Sequence, residues 1–288
     1  MSGATLPSDP ADRFYTAQGL RLHVTDWGNE TAPPLVLLHG GRDHSRSWDT
    51  VARALQPRFH VMAPDLRGHG DSDWAKGSSY SLADNIYDLT HLPGIENGAI
   101  LIGHSFGGMI ALAYAGTYPE RVSRLGVLDG IFLPDPEPAP IEAQMAAWVA
   151  QLDRISKAKT RRFATIEEAA GRMAAHNKRL TAEQAQHLAR HAVRPNDDGT
   201  LSWKYDPYAS ARAPYRLSPT DYTALWSRIT CPILMLSASE SFLPDPGKAG
   251  LVGHFQQVDH RVIADTGHWL QHDKTDEVMA ALGAFLAG

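Results

Sequence analysis

A serine framed by glycines, Gly103-His104-Ser105-Phe106-Gly107, follows the apolar run Ala99 to Ile102 and precedes a small, apolar, helix-like segment, Gly107 to Thr117. A serine hydroxyl is hardly ionised at neutral pH, so it acts as a nucleophile only beside a base. Of the fourteen histidines, His268 is the best placed. It lies in ADTGHWLQHD, after the apolar run Arg261 to Ile263 and before a helix-like C-terminal segment. A loop leaving the carboxyl end of such a strand brings His268 to the sheet edge where parallel α/β folds hold their ligands, the edge at which Ser105 emerges. Negative charge developing on an attacked carbonyl oxygen needs converging N–H donors. The Phe106 amide, at the helix start, and the Gly41 amide in His39-Gly40-Gly41, after the run Leu35 to Leu38, fit that role.

The surroundings make the pentapeptide informative. In a sharp strand-to-helix elbow the serine backbone is strained, and larger side chains two residues on either side would collide. The rival reading is a glycine-rich turn whose serine caps a helix. A phosphate-cradling loop fits less well, because no Gly-Lys-Ser/Thr follows and the glycine spacing is not that of a dinucleotide fingerprint. HGGRDH has no standard zinc spacing and HExxH is absent, so neither metal nor organic cofactor is expected.

These residues need a scaffold, and the rest of the chain supplies one. Short apolar runs bounded by turn residues occur at 35–38, 60–63, 99–102, 125–128, 233–236 and 261–263, each suited to a buried parallel strand. RFYTAQG and LRLHVTDWG instead predict an antiparallel hairpin turning at Gln18 and Gly19. Between strands, Leu82, Ile86 and Leu89 share a helical face behind a Ser81 N-cap, with Gly94 just past the end. The alternation predicts an α/β fold, a mostly parallel central sheet with helices on both faces. It breaks after PDPEPAP, where a helix over 141–152 and two capping boxes, Thr165 with Glu168 and Thr181 with Gln184, precede the aromatic stretch LSWKYDPYASARAPY. The expected organisation is a core of residues 1–133 and 226–288 with a helical cap, 134–225, inserted between the sixth and seventh core strands.

Composition narrows the function classes. A net charge of -5 and a pI near 6.3 give no case for nucleic acid or an anionic membrane as partner. The single cysteine, Cys231, excludes an intrachain disulfide and a cysteine metal cage. MSGATLPSDPADRF lacks the apolar run of a signal peptide, and no apolar stretch is long enough for a membrane span. The expectation is a cytoplasmic protein acting on a small molecule, with homo-oligomerisation left open.

In their order and spacing, the HGG loop, PDLRGHGDSDW at 64–74, GHSFGG, the insertion and DTGHWLQHD resemble the α/β-hydrolase superfamily, and within it the cap-bearing serine esterases. The resemblance spans nearly the whole chain. It implies a serine hydrolase that cleaves an ester, lactone or similar acyl bond. Relatives that dehalogenate or open epoxides usually carry an aspartate at the elbow, which Ser105 argues against. It also implies that Asp65, Arg67 and His69 are structural residues of a loop near the site. The acid that orients the histidine usually follows the seventh core strand, commonly as Gly-x-x-Asp. ILMLSASESFLPD departs from that pattern, and Glu240 holds the nearest position. Some members instead use the end of the strand after the nucleophile helix, here RLGVLDG with Asp129. Aspartate is the commoner and shorter acid, so Asp129 is favoured with Glu240 as the alternative. Carbon–carbon hydrolysis, amidase or perhydrolase chemistry, or a non-catalytic small-molecule sensor, would use the same scaffold. Arg42, Phe132 and Trp148 are candidate substrate contacts, with Phe106, Trp203, Tyr205 and Trp226 as further candidate aromatics of the pocket.

Overall fold

The expected hairpin is formed by β1 (Ala11–Ala17) and β2 (Leu20–Asp26), turning through Gln18 and Gly19, both at positive φ. Such a two-residue turn matches the twist of the strands it joins. The computed structural model describes residues 9–77, 80–134, 137–211 and 217–288. The first eight residues of the N-terminal stretch, Asp135 and Pro136 of PDPEPAP, and residues 212–215 of the aromatic stretch lie outside the described residues.

After the hairpin come β3 (Pro34–Leu38), α1 (Asp49–Leu55), β4 (His60–Pro64), α2 (Leu82–Thr90), β5 (Ala99–His104), α3 (Phe106–Thr117) and β6 (Val122–Leu128). Then follow α4 (Ile141–Lys157), α5 (Ile166–His176), α6 (Ala182–Ala192), a small ribbon of β7 (Val193–Pro195) and β8 (Leu201–Trp203), and α7 (Pro219–Ser227). The chain closes with β9 (Ile233–Ala238), β10 (Val258–Ile263), α8 (Leu270–Asp273) and α9 (Thr275–Ala287). Among the described residues the main sheet has eight strands in the order β1-β2-β4-β3-β5-β6-β9-β10, antiparallel at β1-β2-β4 and parallel beyond.

Both faces of this sheet are covered, and the alternation of side chains shows how. On β3, Val36 and Leu38 enter the core cluster beneath α2, α3 and α7, while Leu35 and Leu37 enter the one beneath α1 and α9. A strand buried on both faces must be apolar at every position, which is why PLVLL and AILI read as continuous apolar runs. The carboxyl ends of β3, β5, β6 and β10 therefore emerge along one edge, and their loops are free to carry chemistry.

Some boundaries differ from expectation. Helix α7 begins seven residues before the expected return to the core at 226, because Tyr222 and Trp226 already pack in the cluster of α3. The α2 helix ends at Thr90, where the His91 amide donates to the Asp88 carbonyl, and Gly94 lies in the turn beyond. Ser81 and Asp84 form a reciprocal capping box, as do Thr181 and Gln184. Thr165 accepts from the Glu168 amide, but the Glu168 carboxylate takes the amide of Ala164, so the third box is not reciprocal. The inserted helices have a core of their own around Phe163, Ala169, Ala185 and Ala189. Among the described residues no helix is long and apolar enough to cross a membrane.

Candidate active site

Between β5 and α3 the chain reverses over a single residue, and Ser105 sits there at φ 53° and ψ -120°. That conformation costs a non-glycine residue roughly 1–3 kcal/mol and survives only when its surroundings enforce it. The Ser105 amide donates to the Leu128 carbonyl at 3.0 Å, and the Gly108 amide donates to the Ser105 carbonyl at 3.0 Å. The flanking glycines are required by close approach. A Cβ on Gly103 would lie 2.3 Å from the Gly107 carbonyl oxygen, and one on Gly107 would lie 2.2 Å from that of Leu38.

The loops after β6 and β10 converge on this serine. Ser105 Oγ is 2.8 Å from His268 Nε2, and His268 Nδ1 is 2.6 Å from Asp129 Oδ2. A carboxylate can only accept, so Nδ1 carries the proton and donates to Asp129. Nε2 is then left as an acceptor for the serine hydroxyl. Asp129 is 6% exposed and held at a positive φ of 44°. Its Oδ1 accepts from the Ala238 amide at 3.2 Å, and its Oδ2 also accepts from the Ser241 hydroxyl. Every component is therefore fixed by a partner behind it, the arrangement that keeps a base oriented. His268 is further confined by His104, whose Nε2 donates to the His268 carbonyl at 2.8 Å, and by the Phe242 ring, 4.3 Å from its own.

Glu240, the alternative acid, does not reach the histidine. Its carboxylate accepts from Arg179 at 2.6 Å, and its side chain is 54% exposed. The Glu240 amide bonds the Thr266 carbonyl, leaving the side chain on the outer side of that junction. Asp65 is buried and accepts from His23 Nδ1 and from the amides of Ser45 and Asp71, and the buried Arg67 makes a bidentate pair with Asp88. Those contacts tie the Pro64–Trp74 loop to the hairpin and to α2, a structural role.

A cavity of about 470 Å³ opens over Ser105 and is lined by Gly41, Arg42, Phe106, Trp203 and Tyr205 among others. Among the described residues, neither the Gly41 nor the Phe106 amide has an intramolecular acceptor. The Phe106 amide also sits at the positive end of the α3 dipole, which favours an anion there. Trp148 lines an adjoining, larger cavity, and Trp226 is 2% exposed in the core, stacked on Phe255. Phe132, half-buried four residues beyond the end of β6, lines neither cavity. Sequence reasoning passed over Ser241, Phe242 and His104. Two of them lie in SASESFLPD, where no motif marks a role, and His104 holds a variable position of the elbow.

Among the described residues two side-chain groups have the spacing to hold a cation, Asp49 with His187 and His191, and His23 with Asp65 and Asp71. In the first, Asp49 is already clamped by Arg46, and in the second Asp65 is occupied by amides and His23. Neither group touches Ser105.

The buried histidines make stability depend on pH in a definite direction. Burial lowers the pKa of His69 to about 4, with His39 adding to the effect, and of His104 to about 3, with His268 adding to it. Burial lowers His44 as well. A histidine depressed in the folded state binds fewer protons there than in the unfolded chain. Its contribution is fully present above the unfolded value of about 6.5 and is lost as pH falls toward the folded value. For His23 burial alone would lower the pKa, but the Asp65 hydrogen bond and charge outweigh it and raise it. Its contribution grows as pH falls toward about 6.5 and is fully present below it, so it leaves the slope below that value unchanged. Urea unfolding should therefore show stability falling by about 1.4 kcal/mol per pH unit for each depressed histidine below about pH 6.5. Equal midpoints at pH 7 and pH 5 would mean that these rings are not held neutral.

This strand order, elbow and histidine loop define a class. A family model described as the alpha/beta hydrolase fold matches residues 33–275, and the chain belongs to that family. Its relatives differ in their reactions. It is 27% identical to cis-3-alkyl-4-alkyloxetan-2-one decarboxylase of Shewanella oneidensis, over 95% of this chain and 87% of that protein. It is 28% identical to epoxide hydrolase 4 of Mus musculus, over 93% of this chain and 77% of that one. Among solved structures it is similar in fold to a thioesterase domain from the curacin biosynthetic pathway, with a TM-score of 0.85 and 24% identity over 98% of this chain and all of that one.

Proposed function

We propose that this protein is a serine hydrolase that cleaves a carboxylic ester, lactone or similar acyl bond through an acyl-enzyme at Ser105. The observation that carries the reading is the 2.8 Å contact between Ser105 Oγ and a His268 ring whose other nitrogen is held by Asp129. Ser105 Oγ attacks the acyl carbonyl carbon while its proton passes to His268 Nε2. The carbonyl oxygen becomes an oxyanion that accepts from the Gly41 and Phe106 amides. Collapse expels the leaving oxygen, which takes the proton from Nε2. Water then gives a proton to Nε2 and attacks the acyl carbon, and the acid departs as the proton returns to Ser105 Oγ. The inserted helices α4 to α6 and the β7–β8 ribbon act as the cap over the bound substrate.

The relatives support a general hydrolase role, and two details favour the acyl version. The oxetan-2-one in the decarboxylase's name is a four-membered cyclic ester, an acyl electrophile. The epoxide hydrolase's name points elsewhere, but the resemblance associates epoxide opening with an aspartate at the elbow, where this chain carries serine. The reading is tested with 4-nitrophenyl butyrate mixed rapidly with enzyme. A burst of nitrophenol approaching one equivalent, with a butyryl adduct on the peptide containing Ser105, is expected. Linear release without adduct, across acyl lengths and lactones, would overturn it.

A further inference from the structure

The cavity over Ser105 has a larger neighbour. A second cavity of about 1260 Å³ shares Arg42, Arg172, Trp203, Tyr205 and Ser210 with it, so the two adjoin. Much of the outer wall comes from the inserted helices and ribbon. It carries seven cationic side chains, Arg42, Lys76, Lys159, Arg161, Arg162, Arg172 and Arg194, against a single carboxylate, Asp206, among the described residues. Asp206 is buried, accepting from the Tyr80 hydroxyl and the Tyr208 amide, and its single charge offsets only one of the seven cations.

The chain as a whole has 27 basic and 32 acidic residues. Seven cations around one concavity thus run against the overall balance. Arg162 pairs with Asp198, Arg42 donates to Ser210, and Arg194 lies over the Trp74 ring. For Arg161, Arg172, Lys76 and Lys159 the described residues offer no carboxylate within ion-pairing distance. Arg42 and Arg172 line both cavities beside Tyr205, whose pKa burial raises against the pull of these guanidiniums and of Arg161 in the outer cavity. Like charges gathered round a concave wall repel one another and focus a positive potential into it. Guanidinium forks match phosphate and carboxylate oxygens alike. Trp148, Trp203 and Tyr205 add flat apolar surface on the same wall, suited to a long organic arm.

We infer that the substrate is an acyl compound whose non-reacting arm carries several negative charges, the carbonyl sitting at Ser105 and the anionic arm in the basic outer cavity. This rests on the serine-hydrolase reading above. It assigns the outer cavity a specificity role: the arm's charges raise the local concentration of the substrate and set its orientation before the acyl group reaches the elbow.

Three thioesters with one acyl group test it: S-butyryl-N-acetylcysteamine, which is uncharged, butyryl coenzyme A, whose arm bears phosphates, and S-butyryl mercaptosuccinate, whose arm bears two carboxylates. At low ionic strength kcat/KM for a charged thioester should exceed the neutral one by at least about tenfold, within the range of electrostatic steering. The ratio should shrink as salt is added, and whichever charged arm shows it identifies the anion as phosphate or carboxylate. In the double variant Lys159→Glu, Arg161→Glu, both exposed positions, the charged-to-neutral ratio should fall at least about tenfold. Calorimetric titration with free coenzyme A and with free mercaptosuccinate gives a readout independent of turnover, and binding of at least one should weaken in the same variant. Equal, salt-independent kcat/KM for charged and neutral thioesters, with no heat from either free arm, overturns the inference while Ser105-dependent turnover leaves the hydrolase reading standing. No turnover of any thioester or ester, and no adduct on Ser105, overturns the hydrolase reading instead.

Discussion

Ser105→Ala should lower kcat for an activated ester by on the order of 10⁵-fold, while the thermal midpoint stays within a few degrees of the parent. The reason lies in what alanine keeps. Its Cβ preserves the crowded elbow, and the backbone remains under the same strain at φ 53°, because the contacts that enforce it come from Leu128 and Gly108 rather than from the hydroxyl. Only the nucleophilic oxygen and its bond to His268 are removed. Residual turnover should not vanish, since the Gly41 and Phe106 amides can still polarise a bound carbonyl and such donors account for roughly 10³-fold over water in comparable sites. The measurement is steady-state kcat on purified variant, with adduct formation as a control against contamination by parent enzyme. A loss under tenfold would remove Ser105 from the chemistry.

The fold and part of the site were legible in the sequence for identifiable reasons. A strand buried on both faces has to be apolar throughout, so β3, β5 and β9 stand out without any partner being known. The elbow is a local device: its two glycines are needed because backbone atoms within four residues, and those of Leu38, come within 2.3 Å of where a Cβ would be. The position of Asp129 is different in kind. It depends on β6 and β9 being neighbours in the sheet, on the left-handed turn at Asp129, and on a hydroxyl from Ser241 more than a hundred residues away. Nothing in RLGVLDG or SASES encodes that meeting locally, so two acids stayed open. The outer cavity was hidden for a similar reason. Its cations come from the loops after β3 and β4, the stretch after α4, and from α5 and β7, segments that no sequence window joins.

The pair Asp129→Asn and Glu240→Gln separates the two acids by effects of very different size. Asparagine fits the space of Asp129, but it has one carbonyl oxygen where the carboxylate offered two. Three donors, the His268 Nδ1–H, the Ser241 hydroxyl and the Ala238 amide, converge there. If the amide NH₂ turns toward the histidine, Nδ1 must become the acceptor and Nε2 carries the proton, which leaves the serine hydroxyl without a base. Even with the oxygen turned inward, the imidazolium formed during attack loses its counter-charge. Both routes predict a kcat loss on the order of 10⁴-fold with substrate binding little changed. Glu240→Gln removes one half-exposed ion pair with Arg179, the kind of solvent-screened contact that adds little to stability, and should change kcat by less than about threefold. The contrast can be read as kcat and KM for both variants on one ester. A large loss in Glu240→Gln with Asp129→Asn near normal would require the loop after β9 to swing its carboxylate past Ser241 and Phe242 to reach Nδ1. That would mean the working enzyme rebuilds its histidine support when substrate binds.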